Sequence, residues 1–198
     1  MYLTKLKLSA GDHARFRLRD AYAIHKLVYS LFPLDSNSDA KKQRILYADK
    51  QGAEGDRVLL IQSSVLPQGP DTLSMTSLQI DDAFYGAEHY HFEVTLNPVK
   101  KDPVSGKRQA IKGLLPVMKW LVERSPQWGF AVDEQTLQAF IQNTVTFQKD
   151  ERQYCLHRVL FRGALSVTDQ TLFRAAAENG LGHGKAFGFG LLQLSPIR

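Results

Sequence analysis

Apolar and polar residues alternate from Tyr2 to Leu8, the two-residue period of a strand with one buried face. Between Arg19 and Phe32 the period lengthens to that of a helix. With Ile24 as the core direction and 100° per residue, Ala21, Leu27, Val28 and Leu31 fall within about 60° of it. A possible short strand at Ile45–Asp49 and a strand at Arg57–Ser63 follow, and then a stretch rich in Pro, Gly and Asp runs to Gly86. The second half opens with a strand at His89–Leu96 and a basic loop. A helix is predicted over Leu114–Arg124, where Leu114, Val117, Met118 and Leu121 recur at helical spacing. Then come a strand at Ala139–Gln148, a polar turn at Lys149-Asp-Glu-Arg152 and a strand at Tyr154–Val167. A helix over Asp169–Glu178, which Thr168 or Asp169 can cap, leads to a closing strand at Phe187–Leu194.

Each half approximates βαββαβ. The predicted fold class is therefore α+β: two tandem ferredoxin-like (RRM-like) domains, residues 1–87 and 88–198, joined near residues 86–89. The second half fits this order well. The first fits loosely, because its second helix has no clear place.

Composition narrows the class of partner. The chain has 198 residues, 43% of them hydrophobic and 23% charged, which suits a packed soluble protein. No apolar run approaches the length of a membrane span, and the N-terminus lacks the pattern of a signal peptide. Cys155 is the sole cysteine, so an internal disulfide and a cysteine zinc cage are excluded and the cytoplasm is the default location. A net charge of +5 and a pI near 9.3 favour a polyanionic partner. Five bases, Lys100, Lys101, Lys107, Arg108 and Lys112, crowd the loop after the predicted strand His89–Leu96 against one acid, Asp102.

Two constellations carry candidate chemistry. On the first helix Tyr22, His25 and Tyr29 fall together off the core face, about 100–160° from the core direction, with Arg19 and Lys26 beyond. Tyr22 and His25, at i and i+3, can act on one group. Histidine moves protons near neutral pH and a tyrosine hydroxyl orients a developing anion. Packing against the second domain is the competing explanation for that face. Near the C-terminus five of the 14 glycines fall between Gly180 and Gly190, with His183 and Lys185 among them. Such density allows backbone N–H groups to approach an anion closely, Gly182, Gly184 and Lys185 being candidate contacts. A flexible turn with a kinked strand is the plainer alternative. A helix precedes this run and a strand follows it, the reverse of a dinucleotide fingerprint, and Asn179 and Ala186 occupy positions where a P-loop needs Gly and Ser or Thr. His89 and His91 share one strand face but lack an evident third ligand, so no metal site is predicted. His13 and His157 suit structural roles.

In order along nearly the whole chain, the residues resemble the CasE-type CRISPR-associated endoribonucleases, which process repeat RNA in the type I-E Cascade system. Met1-Tyr-Leu-Thr-Lys is similar to that family's first strand, and Asp20-Ala-Tyr-Ala-Ile-His25 to its catalytic helix. Leu96-Asn-Pro-Val-Lys100, Gly106-Lys-Arg108, Lys112 and Trp120-Leu121 resemble its central segment. Phe161-Arg-Gly163 with Leu165 resembles its penultimate strand, and Gly180 to Leu192 its C-terminal glycine loop. The resemblance implies two ferredoxin-like domains and metal-independent cleavage without a cofactor. The RNA's own 2′-hydroxyl attacks the adjacent phosphate, leaving a 2′,3′-cyclic phosphate and a 5′-hydroxyl. His25 is the implied general base or acid, and Tyr22 positions and stabilises the reacting group. A basic residue that some members carry five positions after the histidine is Ser30 here, which leaves Lys26 or Lys185 to supply the charge. The implied RNA-gripping hairpin carries Lys149 and Arg152 at its turn and Arg158 after it. Because Asp150 and Glu151 dilute that turn, more phosphate contact is expected from the five bases between Lys100 and Lys112. Repeat RNA stem-loops and Cascade backbone subunits are the implied partners, with no membrane or DNA contact. A catalytically silent RNA-binding module of the same architecture is the alternative.

Overall fold

The computed structural model describes residues 1–32, 44–51, 56–104, 106–149 and 152–197. Among the described residues two main antiparallel sheets, with helices packed on them, hold two main cores.

The first sheet contains β1 (Tyr2–Leu8), β2 (Ile45–Gln51), β3 (Arg57–Ser63) and β4 (Ser74–Gln79) in the order β2-β3-β1-β4. Helix α1 (Ala10–Arg15) begins at a capping box in which Ser9 and Asp12 satisfy each other's backbone N–H. Helix α2 (Ala21–Ser30) starts at Asp20, whose Oδ1 accepts from the Ala23 N–H at 2.8 Å. Ile24, Leu27, Val28 and Leu31 are buried as the periodicity predicts, against Leu6, Leu8, Leu59 and Ile61 of the sheet. The strand order is that of a ferredoxin-like domain, but no helix links β3 to β4. Residues 64–73 cross as a loop, with the Gln68 N–H donating to the Leu31 carbonyl and Leu73 filling the core. This accounts for the second helix that has no clear place in the sequence.

The second sheet has the order β13-β5-β12-β8, from β5 (His89–Leu96), β8 (Phe130–Val132), β12 (Val159–Val167) and β13 (Gln193–Pro196). Helices α3 (Leu114–Arg124) and α4 (Gln170–Asn179) supply the two crossovers, completing the ferredoxin-like pattern. Asp169, rather than Thr168, caps α4 by accepting from the Leu172 N–H at 2.9 Å. A short 3-10 helix at Asp82–Gly86 packs Phe84 and Tyr85 into this second core.

Four predicted elements differ in the structure. The basic loop is a small hairpin of β6 (Val99–Lys101) and β7 (Arg108–Ala110). The two long strands predicted over 139–148 and 154–167 are each broken. β9 (Gln138–Ile141) pairs with β12, while β10 (Val145–Lys149) and β11 (Arg152–Leu156) form a separate hairpin. Ile141 faces Val159 and Val145 faces Leu156, so three intervening residues oppose two. The Gln142 N–H still donates to the Arg158 carbonyl, leaving Asn143 and Thr144 opposite His157 alone. That is a β-bulge, and it bends the hairpin away from the sheet. Finally, the closing strand runs only over Gln193–Pro196. Residues Lys185–Phe187 form a 3-10 turn, and left-handed backbone at Gly184, Gly188 and Gly190 cannot be extended strand.

The domains meet along β2. Leu46 and Ala48 pack against Leu191, the Gln62 side chain donates to the Ala177 carbonyl at 2.9 Å, and Arg158 donates to the Asp49 carbonyl at 2.8 Å. Among the described residues no helix is long and apolar enough to cross a membrane.

Candidate active site at the domain junction

The non-core face of α2 looks onto the glycine run of the second domain. His25 Nδ1 lies 2.9 Å from the carbonyl oxygen of Ala186, a contact spanning 161 residues of sequence. Aromatic rings enclose the imidazole. Tyr22 stacks at 5.9 Å between centroids and 15° between planes, Tyr29 lies at 4.3 Å and Phe187 at 5.3 Å. Phe187 in turn packs on Phe147 of β10 at 3.9 Å, and Phe147 stacks on Tyr154 of β11 at 5.3 Å. The bent hairpin thus closes one side of the site. Two sequence features, the helix face and the glycine run, are brought to one place. This face also packs, since Tyr29 is half-buried against the first core while its ring touches His25.

The cations divide into groups. Lys26 Nζ sits 4.5 Å above the Tyr22 ring and is exposed, so it lies at the site. With Arg17 and Arg19 it lines a groove beside Tyr22. Ser30 donates its hydroxyl to the Leu27 carbonyl within the helix. Lys185 is turned inward. Its Nζ donates to the Asn179 carbonyl at 2.8 Å, tying the glycine run to the end of α4, and burial followed by the Arg44 charge lowers its ammonium pKa. Lys100, Lys101, Lys107, Arg108 and Lys112 are all exposed along the small hairpin and the loop after it. Arg158 faces the first domain through Asp49, as a tie between domains. The Lys149 and Arg152 side chains, and the turn residues Asp150 and Glu151, lie outside the described residues.

Gly182 and Gly184 adopt left-handed backbone, and Gly184 opens the 3-10 turn that presents Ala186. The surroundings of His183 are electropositive. Burial first, then the charges of Arg108, Arg124 and Lys185, hold its imidazole below the usual value. Replacing Arg108 by Gln removes one of those cations, so protonation becomes easier and the His183 pKa should rise in an NMR titration. An unchanged titration would place the hairpin's charge elsewhere. Sequence reasoning missed Arg124, Tyr47, Phe147, Phe187 and the Ala186 carbonyl. Their signals are ordinary apolar or basic positions within elements, and a backbone carbonyl has no sequence signature at all.

His89 lies on the outer face of β5 with Nδ1 3.0 Å from Ser166 Oγ. Among the described residues no three His, Cys, Asp or Glu side chains group as a metal site.

The family model described as "CRISPR associated protein" matches residues 1–196. The chain belongs to this CRISPR-associated protein family. Among its relatives, the CRISPR-associated endoribonuclease Cse3 of Thermus thermophilus is 29% identical over 217 residues, covering 99% of this chain and 100% of Cse3. The CRISPR system Cascade subunit CasE of Escherichia coli is 24% identical over 209 residues, covering all of both chains. A solved structure of Thermus thermophilus Cse3 bound to an RNA representing a pre-cleavage complex has a TM-score of 0.82 and 26% identity, covering 98% of each chain.

Proposed function

We propose that this CRISPR-associated protein is a cytoplasmic, metal-independent endoribonuclease that cuts CRISPR precursor RNA within the repeat and keeps the mature guide RNA for a Cascade complex. The observation that carries the reading is His25, oriented by the Ala186 carbonyl and stacked on Tyr22 where the two domains meet. The names of the relatives support it, one an endoribonuclease and the other a Cascade subunit. The first domain supplies the proton-transfer helix and the second the RNA-gripping surface.

The chemistry asks little of the protein. The RNA 2′-oxygen bonds to the adjacent phosphorus as the P–O5′ bond breaks, giving a 2′,3′-cyclic phosphate and a 5′-hydroxyl. A carbonyl oxygen only accepts hydrogen bonds, so neutral His25 carries its proton on Nδ1 and Nε2 is its basic nitrogen. Nε2 takes the 2′-hydroxyl proton, and a proton returns to the leaving 5′-oxygen. Tyr22 positions the phosphate, with Lys26 beside it as the available cation. Lys100, Lys101, Lys107, Arg108 and Lys112 grip backbone phosphates of the stem, together with Lys149, Arg152 and the loop at Gly182 and Gly184. Duplex RNA is held mainly through backbone and shape.

Labelled repeat hairpin incubated with the protein in excess EDTA tests the reading. Cleavage should persist, leave a cyclic phosphate on the upstream product, and cease when the upstream 2′-hydroxyl is replaced by hydrogen. Cutting of the deoxy-substituted RNA, or a strict need for a divalent ion, would overturn it.

A further inference from the structure

The Ala186 carbonyl accepts a second hydrogen bond, from the Tyr47 hydroxyl at 3.2 Å. A carbonyl has two lone pairs, so Tyr47 and His25 share it without competing for one acceptor site. The carbonyl sits in a three-residue turn bounded by Gly184 at φ +88° and Gly188 at φ +84°. Glycines at both ends leave that turn with few restraints of its own. Tyr47 supplies an external one. Its side chain rises from β2 of the first domain, is 1% exposed, and sits so close to Gly188 that a Cβ there would lie 3.0 Å from the ring. Burial, with the Asp49 carboxylate nearby, drives the phenol pKa far up, so the hydroxyl is a permanent donor. The first domain therefore grips this carbonyl from α2 and from β2 together.

We propose that Tyr47 is a positioning residue: its hydroxyl pins the Ala186 carbonyl, and the pinned carbonyl holds neutral His25 in the Nδ1–H form that leaves Nε2 basic. Its kinetic consequence rests on the endoribonuclease reading above, whereas the tautomer is a property of the RNA-free protein. Tyr47 touches none of the reacting atoms and acts through His25.

The Tyr47→Phe variant keeps the buried ring and removes only the oxygen. In RNA-free protein labelled with ¹⁵N-histidine, wild-type His25 should show a single neutral tautomer with the proton on Nδ1. The variant should show a mixture with the Nε2–H form. Single-turnover cleavage of the repeat hairpin should fall roughly tenfold, the low end of the loss seen when a group orienting a metal-ligating histidine is removed, with RNA affinity unchanged. In a His25→Ala background the second substitution should add nothing to the residual rate. A wild-type spectrum with the proton on Nε2 would overturn the proposal before any variant is made. So would a variant whose His25 stays wholly Nδ1–H, or an equal slowing in the His25→Ala background. If wild-type protein cuts no RNA, the endoribonuclease reading fails on its own, and the spectra still decide the role of Tyr47.

Discussion

His25→Ala should slow cleavage of a cognate repeat hairpin roughly 10²–10⁴-fold while leaving its binding within about threefold of wild type. Proton transfer by a positioned side chain contributes roughly 10²–10⁴ to a rate, about 3–5 kcal/mol of barrier. The substitution removes that contribution and little of the surface expected to hold RNA, since Lys26 and the exposed cations of the β6–β7 hairpin and the loop before α3 are left in place. Some stability is also lost, because the imidazole packs on Tyr22, Tyr29 and Phe187 and reaches Ala186. Cleavage should therefore be measured under single-turnover conditions well below the melting temperature, alongside a filter-binding isotherm. Full activity in the variant would remove His25 from the mechanism. Equal losses of rate and affinity would make it a binding residue instead.

Gly190→Ala should be among the most damaging single-methyl changes in the chain. At φ +84° any side chain is strained, and a Cβ would stand 2.4 Å from the Leu181 carbonyl oxygen, a backbone atom that cannot swing away. The same glycine staples the run in place. Its N–H donates to the Thr95 carbonyl of β5, and its own carbonyl accepts from the Leu181 N–H, both at 2.8 Å. Strain and displaced hydrogen bonds together should cost about 2–4 kcal/mol. For a chain this size that lowers the melting temperature by roughly 5–15 °C. Gly86→Ala is the control, since its Cβ would meet nothing within 4 Å. Equal melting temperatures for the two variants would show that the run tolerates a side chain.

Helix α2 could be read from sequence because both of its faces announce themselves. Ile24, Leu27 and Val28 repeat at the helical period, and Tyr22 with His25 stands off that stripe beside Lys26. The edge strand β4 could not be read, because Ser74–Gln79 is mostly exposed and carries no alternation. Pairing along β1 defines it, including a 2.8 Å hydrogen bond between Thr4 and Ser77. The glycine run was legible as unusual but not in shape, since its form depends on which glycines turn left-handed. Tyr47 gave no local signal. It sits in a strand like any buried aromatic, and its hydrogen-bond partner lies 139 residues away.

The bulge at Asn143 and Thr144 makes chain length itself a determinant at one point. Without the extra residue the ladder from β9 would run straight into β10, and the hairpin would continue along the sheet. It would then no longer fold over α2, and Phe147 would leave Phe187. Substitutions at these two exposed positions leave the count unchanged, whereas a one-residue deletion between Ile141 and Val145 changes where the whole hairpin points. In a family comparison, the spacing between those two residues is therefore the quantity to track, ahead of the identity of either residue in between.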